Sequence, residues 1–275
     1  MTETGLKNGY HEMDLGLTGK VAIVTGGSDG IGKAAAISLA REGASVAIVG
    51  RTQAKLDAAV AEIEAETGGE VIGVPTDVSV ESDVQVMVAK VVDRFGGIDI
   101  LVNNAGTSSA TTLELMTDEQ LKVDFGIKIY GAIYCARAAL PHLKASGSGA
   151  IVNTTTPGGK AARPGSQPTS LSRASGISLT KSWAGELAEY GIRVNTICVG
   201  VLKSGQHRTR WEAVNAKDPS YTLEDHWQTF GANVPLGRIG EAHEAGDVIC
   251  FLASARASYI TGTAVNVDGG SAPVV

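Results

Sequence analysis

The stretch Thr25-Gly26-Gly27-Ser28-Asp29-Gly30-Ile31-Gly32 follows the apolar run Val21-Ala22-Ile23-Val24 and leads into Lys33-Ala34-Ala35-Ala36-Ile37-Ser38-Leu39-Ala40, whose apolar spacing is helical. A glycine-rich turn between strand and helix lets the backbone bend sharply and come close to a pyrophosphate, while free N–H groups at the helix start face the anion. The chemistry on offer is dinucleotide binding. A glycine triplet alone is weak evidence and could mark an ordinary strand-to-helix loop; the strand before it and the helix after it supply the context the motif requires.

Other residue types capable of chemistry form no obvious site. Cys135, Cys198 and Cys250 sit in apolar surroundings without ligand spacing and read as small buried hydrophobes. His11, His142, His207, His226 and His243 are scattered, so no metal site is expected, and most of them read as surface or helix-face residues.

The elements that must position the turn follow from periodicity. Strands are expected at Val21–Val24, Ser45–Val49, Val71–Pro75, Ile100–Asn103, Ala150–Thr154, Arg193–Cys198 and Ala264–Val267, with helices between them. Strands apolar on both faces that alternate with helices give an α/β fold: a doubly wound parallel sheet of about seven strands with helices on both faces. The length of 275 residues suits one such domain, read as 17–275, after an N-terminal extension over 1–16. The rhythm breaks between Gly200 and Pro235, where Trp211, Tyr221, Trp227 and Phe230 lie among polar residues. An insertion near a strand's carboxyl end could cover a ligand, or be a surface excursion or oligomer contact.

The formal net charge of −6 leaves no basic footprint for nucleic acid or an anionic membrane, which favours a small-molecule substrate. No apolar run approaches the roughly 20 residues that span a bilayer, and Met1 to Leu17 lacks a signal-peptide pattern, so a cytoplasmic location is expected.

Four motifs in order, Thr25–Gly32, Asn103-Asn104-Ala105-Gly106, Gly191-Ile192-Arg193-Val194-Asn195, and Ile260-Thr261-Gly262 with Val267-Asp268-Gly269-Gly270, make the chain resemble a short-chain dehydrogenase/reductase from about Leu17 to Gly270. The resemblance implies a single-domain Rossmann fold that binds NAD or NADP across the carboxyl ends of the strands, commonly as a homo-oligomer such as a tetramer. It carries the cofactor-binding role to Gly26, Ser28, Asp29, Gly30, Ile31, Gly32, Arg51, Asp77, Val78, Asn104, Ala105, Gly106, Arg173 and Gly200. Asp77 is expected at the adenine. After the second strand, Gly50-Arg51 offers no acid to the ribose hydroxyls and places a guanidinium where a 2′-phosphate would sit, which prefers NADP. Asp29 argues the other way, so NAD stays possible; Arg51 could also be a solvated surface charge.

Family catalysis uses an asparagine, a serine, a tyrosine and a lysine. By register these positions hold Lys128, Thr156, Thr169 and Arg173. A threonine hydroxyl is far less acidic than a phenol, and arginine keeps its proton, so ordinary alcohol oxidation through tyrosine is expected to be lost. The remaining cations and hydroxyls suit electrophilic stabilisation during hydride transfer to an activated C=C or C=O. Lys203, His207, Arg208 and Arg210 could then meet an anionic substrate tail, or form a solvated basic face. Two other readings remain open: a non-redox lyase or isomerase with Lys128 as base, its pKa lowered by burial near Arg173, and a cofactor-binding pseudoenzyme. Lys128 could equally point to solvent or pair with Asp124 one turn earlier.

Overall fold

In the computed structural model, which describes residues 14–275, the chain begins its ordered pattern with β1 (Val21–Thr25) and α1 (Gly30–Arg41). Residues 1–13, which include His11 and most of the expected extension, lie outside the described residues. The elements that follow are β2 (Ser45–Gly50), α2 (Gln53–Thr67), β3 (Val71–Pro75), α3 (Glu81–Phe95) and β4 (Ile100–Asn103). Then come α4 (Asp118–Phe125), α5 (Gly131–Ser146), β5 (Ala150–Thr155), α6 (Thr169–Glu186) and β6 (Arg193–Val199). The chain closes through α7 (Gly205–Asn215), α8 (Leu223–Gly231), α9 (Ala242–Ala253) and β7 (Ala264–Val267).

All seven strands run parallel in the order β3-β2-β1-β4-β5-β6-β7. The alternation of side chains explains why the strands are apolar throughout. Ala22 and Val24 face the layer of α1, α2 and α9, while Val21 and Ile23 face that of α3, α5 and α6. The strand order reverses between β1 and β4, and the crevice beyond their carboxyl ends is where a doubly wound sheet binds its ligand.

Four strands run further than their composition suggests: β1 reaches Thr25, β2 Gly50, β5 Thr155 and β6 Val199. Each extra residue finds a ladder partner, as in Thr25 with Val49 and Thr155 with Cys198, so pairing rather than propensity sets the end. The aromatic insertion folds into α7 and α8. Thr222 caps α8 in a reciprocal pair with Asp225, and the indole of Trp211 donates to the Tyr221 carbonyl across the turn.

The glycine turn is fixed by two constraints. Gly26 and Gly30 have φ of 66° and 53°, the left-handed region that costs glycine least. Gly32 lies so close to the preceding backbone that a Cβ there would stand 2.2 Å from the Gly26 carbonyl oxygen and 2.6 Å from the Asn104 amide. Gly32→Ala is therefore expected to push α1 away from the turn and weaken nicotinamide dinucleotide binding at least about tenfold. Calorimetry on the folded variant checks this; unchanged affinity would contradict the close-packing argument.

Candidate active site

The cofactor turn is tied to β4 through Thr25. Its hydroxyl donates to the Val102 carbonyl at 3.2 Å and accepts from the backbone N–H groups of Asn104 and Ala105 at 2.9 and 3.0 Å. The Asn104 amide in turn donates to the Thr25 carbonyl at 3.0 Å. Two clefts open from this junction. One, of about 220 Å3, is lined by Ser28, Arg51, Lys55, Asp77 and Val78. The other, of about 300 Å3, is lined by Asp29, Gly30, Ile31, Thr156, Thr169, Arg173, Gly200 and the start of α7. Gly26, Ala105 and Gly106 line both. The residues assigned to cofactor binding from sequence thus come together, with Gly32 behind them as a packing residue.

Asp29 and Arg51 are separated by this arrangement. The Asp29 carboxylate caps α1, accepting from the Gly30 N–H at 2.7 Å, and its other oxygen faces Gly205 at the start of α7. It belongs to the second cleft, so it does not oppose Arg51 across the first. Lys55, absent from the sequence assignment, joins Arg51 there. Asp77 keeps one carboxylate oxygen bonded to the Ser79 N–H and hydroxyl; the serine hydroxyl is the main reason its pKa lies below the usual carboxylate range.

Three of the four positions expected to carry chemistry, Thr156, Thr169 and Arg173, line the second cleft, and Lys128 lies buried behind Thr169. A π-helical turn, Gly126–Tyr130, joins α4 to α5 and holds Lys128. Such insertions change which side a helix presents and recur at functional sites. Lys128 is 8 % exposed and Asp124 only 1 %, and the Lys128 ammonium meets the Asp124 carboxylate at 2.5 Å. Of the two positions weighed for Lys128, the pairing with Asp124 is the one observed, and it is buried. Asp124 also accepts from Ser109 at 2.6 Å, from Thr169 at 3.3 Å and from Ser172. The spacing Thr169, Ser172, Arg173 puts all three on one face of the first turn of α6. Thr169 lies 3.4 Å from the Lys128 ammonium and accepts from the Ser109 N–H at 3.1 Å. The Thr156 hydroxyl makes no hydrogen bond among the described residues and lines the cleft.

Electrostatics follow from this packing. Burial is the largest influence on Lys128 and the Arg173 charge the next; both outweigh Asp124 and lower its pKa to about 8. Burial pushes Asp124 up, but hydrogen bonds from Lys128, Ser109 and Ser172, with the Lys128 charge, hold it below its ordinary value. Arg173 is lowered by burial to about 10, against the pull of Asp124, and so stays cationic at neutral pH. Its guanidinium donates to the Thr154 carbonyl at 2.6 Å.

Lys203 forms an ion pair with Glu241 at 2.5 Å, and Arg208 and Arg210 are exposed, so of the two readings of the insertion's basic residues the solvated face is favoured over a group that meets an anionic tail. One expectation needs correction. His207 and His226 are neither surface nor simple helix-face residues. They are buried against one another, because the two helices of the insertion fold face to face. Cys135, Cys198 and Cys250 are free and buried, and burial raises each pKa, to about 12 for Cys135 and Cys250. Asp124 was detectable from its i, i+4 spacing to Lys128; Ser109 and Ser172 carried no such signal.

The chain matches the family described as enoyl-(acyl carrier protein) reductase over residues 26–272. It is 34% identical over 254 residues to a 3-oxoacyl-[acyl-carrier-protein] reductase, FabG, of Thermotoga maritima, covering 92% of this chain and 98% of that protein. Among solved structures, L-sorbose reductase from Gluconobacter frateurii, complexed with NADPH and L-sorbose, superposes with a TM-score of 0.91 at 32% identity, covering 96% of this chain and 100% of that one. A short chain oxidoreductase from Pseudomonas aeruginosa PAO1, described as containing an atypical catalytic center, gives 0.88 at 34% identity, covering 94% and 100%.

Removing one partner of the buried ion pair should be costly. Asp124→Ala leaves an unpaired buried ammonium and is expected to lower stability by about 3–5 kcal/mol, while Asp124→Leu combined with Lys128→Met recovers most of it. Denaturant unfolding of the wild type and the two variants checks this.

Proposed function

The chain belongs to the short-chain dehydrogenase/reductase family, and we propose that it is an NADP(H)-dependent oxidoreductase in which a buried lysine, rather than a tyrosine, carries the proton. The observation behind this reading is Lys128: a buried ammonium with a pKa near 8, 3.4 Å from the Thr169 hydroxyl on the wall of the cleft.

The cofactor side is supported by fit. The turn leaves no room for side chains at Gly32 and Gly26, and the cleft beyond it is lined by glycines and by Arg51 and Lys55. Gly26, Ser28, Gly30, Ile31, Asn104, Ala105, Gly106 and Gly200 would hold the dinucleotide, with Asp77 and Val78 beside the adenine. A 2′-phosphate would meet Ser28, Arg51 and Lys55; Asp29 faces the other cleft, and Asp77, the carboxylate that shares this one, is held by Ser79. The NADPH of the Gluconobacter L-sorbose reductase complex and of the NADPH-bound Pseudomonas structure agrees with that preference. When bound, the nicotinamide supplies or takes hydride.

This chain's own residues handle the proton. The Thr156 hydroxyl, which has no hydrogen-bond partner among the described residues, would orient the substrate oxygen. As negative charge develops on that oxygen, the Thr169 hydroxyl turns its proton from the long 3.3 Å bond to Asp124 toward the substrate, gives it up and takes one from the Lys128 ammonium, leaving a neutral amine that is reprotonated from solvent. Thr169 needs no acidity of its own for this, because it exchanges protons with a donor poised near neutral pH. Asp124 holds the lysine in place, and Arg173, fixed to the Thr154 carbonyl, adds a permanent positive charge. The substrate class is a small molecule with an activated C=O or C=C.

A second reading is a redox-neutral lyase or isomerase in which neutral Lys128 is the base; the lowered pKa favours it equally. Turnover with consumption of NADPH absorbance supports the reductase, and product without absorbance change supports the lyase or isomerase.

Reduction needs protonated Lys128, so kcat/KM is expected to fall as pH rises through about 8, and the reverse oxidation to rise over the same range. Lys128→Met should remove that inflection and at least about 100-fold of the rate. Full activity in Lys128→Met would refute the assignment. Arg51→Glu should weaken NADPH binding by about tenfold or more and leave NADH binding unchanged, as read by fluorescence titration.

A further inference from the structure

The insertion carries two buried imidazoles that the proposed proton path does not use. His207, near the start of α7, is 9 % exposed and lines the same cleft as Thr156, Thr169 and Arg173. Its Nδ1 lies 3.3 Å from Nε2 of His226, which is 3 % exposed on α8. The Nδ1 of His226 is 3.5 Å from the hydroxyl of Tyr221, and that hydroxyl lies 3.4 Å from the Thr229 hydroxyl at the surface. Phe230 packs edge-on to His207 with ring centroids 4.8 Å apart, and Trp227 stands against His226 at 5.3 Å. Polar rings are costly to bury unless their nitrogens are partnered. Here every ring nitrogen but one has a partner. The exception, Nε2 of His207, makes no hydrogen bond among the described residues.

The two rings can carry their protons in two arrangements, and because the Thr229 hydroxyl donates to the Asp225 carbonyl at 2.7 Å, only the first also keeps the Tyr221–Thr229 link. In one, Tyr221 donates to Thr229 and accepts from Nδ1–H of His226; Nε2 of His226 then accepts from Nδ1–H of His207, whose Nε2 is left an acceptor. In the other, Tyr221 donates to His226, His226 donates through Nε2–H to His207, and Nε2–H of His207 becomes a donor. Both leave the rings neutral. That matches their surroundings: burial, then the nearby Arg210 and the neighbouring imidazole, hold His207 at about 4, and burial and Arg210 lower His226 as well.

We propose that His207 is a substrate-recognition residue whose free nitrogen reads a second oxygen of the substrate, a hydroxyl or carbonyl next to the reacting carbon, as acceptor or donor according to the polarity of the chain His207–His226–Tyr221. The substrate class is a hydroxy- or oxo-substituted carbonyl compound rather than one with a plain hydrocarbon flank. The recognition half rests on the reading of this cleft as the place where cofactor and substrate meet; the hydrogen-bonded chain itself does not.

Nitrogen-15 NMR of the full-length protein labelled at histidine tests the chain first, with no ligand present, because protonated and unprotonated ring nitrogens resonate far apart. Tyr221→Phe should move the resonances of His226 and also those of His207, which Tyr221 does not touch. Movement of His226 alone, or of neither, overturns the chain. The second arm uses dihydroxyacetone and acetone as probes of the NADP+ complex, where no reduction occurs. Dihydroxyacetone should move the Nε2 resonance of His207 and bind about tenfold more weakly to His207→Phe, with acetone indifferent to the change. His207→Gln, which keeps a donor and an acceptor, should retain most of the preference and guards against a loss of folding. Equal response to the two ketones in wild type and variant overturns the recognition role. Failure of NADP+ to bind at all would instead remove the functional reading and leave the first arm standing.

Discussion

A carboxylate and an ammonium enclosed together behind the wall of a cleft govern the rest of this site. Taking two charges out of water costs several kcal/mol each, and their attraction repays it only with good geometry and further hydrogen bonds. The chain supplies both. Asp124 collects Ser109, Thr169 and Ser172 besides Lys128, so its oxygens are satisfied from the π-helical turn, α6 and the loop after β4. Because the same bonds fix the start of α6, they also fix Thr169 and Arg173. The π-helical turn is part of the arrangement, since it sets where Lys128 projects between two otherwise regular helices.

That enclosure changes what a lysine is. In water its ammonium would hold a proton until well above neutral pH. Burial and the Arg173 guanidinium bring it to about 8, while Asp124 keeps it from falling further. On the reading proposed above, the family's phenol and lysine have a counterpart of different composition: a poised ammonium at the asparagine position, a hydroxyl at the tyrosine position, and a fixed cation at the lysine position. Lys128 and Thr169 are joined by a hydrogen bond, and Arg173 acts on them through its charge.

The remaining two sides of the cleft obey separate constraints. The glycine turn is a matter of space, because the Gly32 backbone touches the Gly26 carbonyl and leaves no room for a side chain. The insertion is a matter of polarity, because two helices that close on each other bury His207 and His226 and must partner them. The two sides meet where Asp29 faces Gly205 and where the Gln206 amide donates to the Gly106 carbonyl at 3.3 Å.

The sequence alone determined the parallel α/β sheet and the glycine turn, because these depend on local periodicity, and it offered Lys128, Thr156, Thr169 and Arg173 as site residues from fixed intervals along the chain. It could not decide whether Asp29 opposed Arg51, since two residues near in sequence to one turn can face different clefts. Nor could it see that Ser109 and Ser172 join Asp124, or that His207 meets His226: such partners are chosen by how helices pack, and nothing in their spacing records it. Tertiary structure decided the chemistry of Lys128 for the same reason, as a side chain's proton affinity is set by the solvent it loses and the charges that surround it.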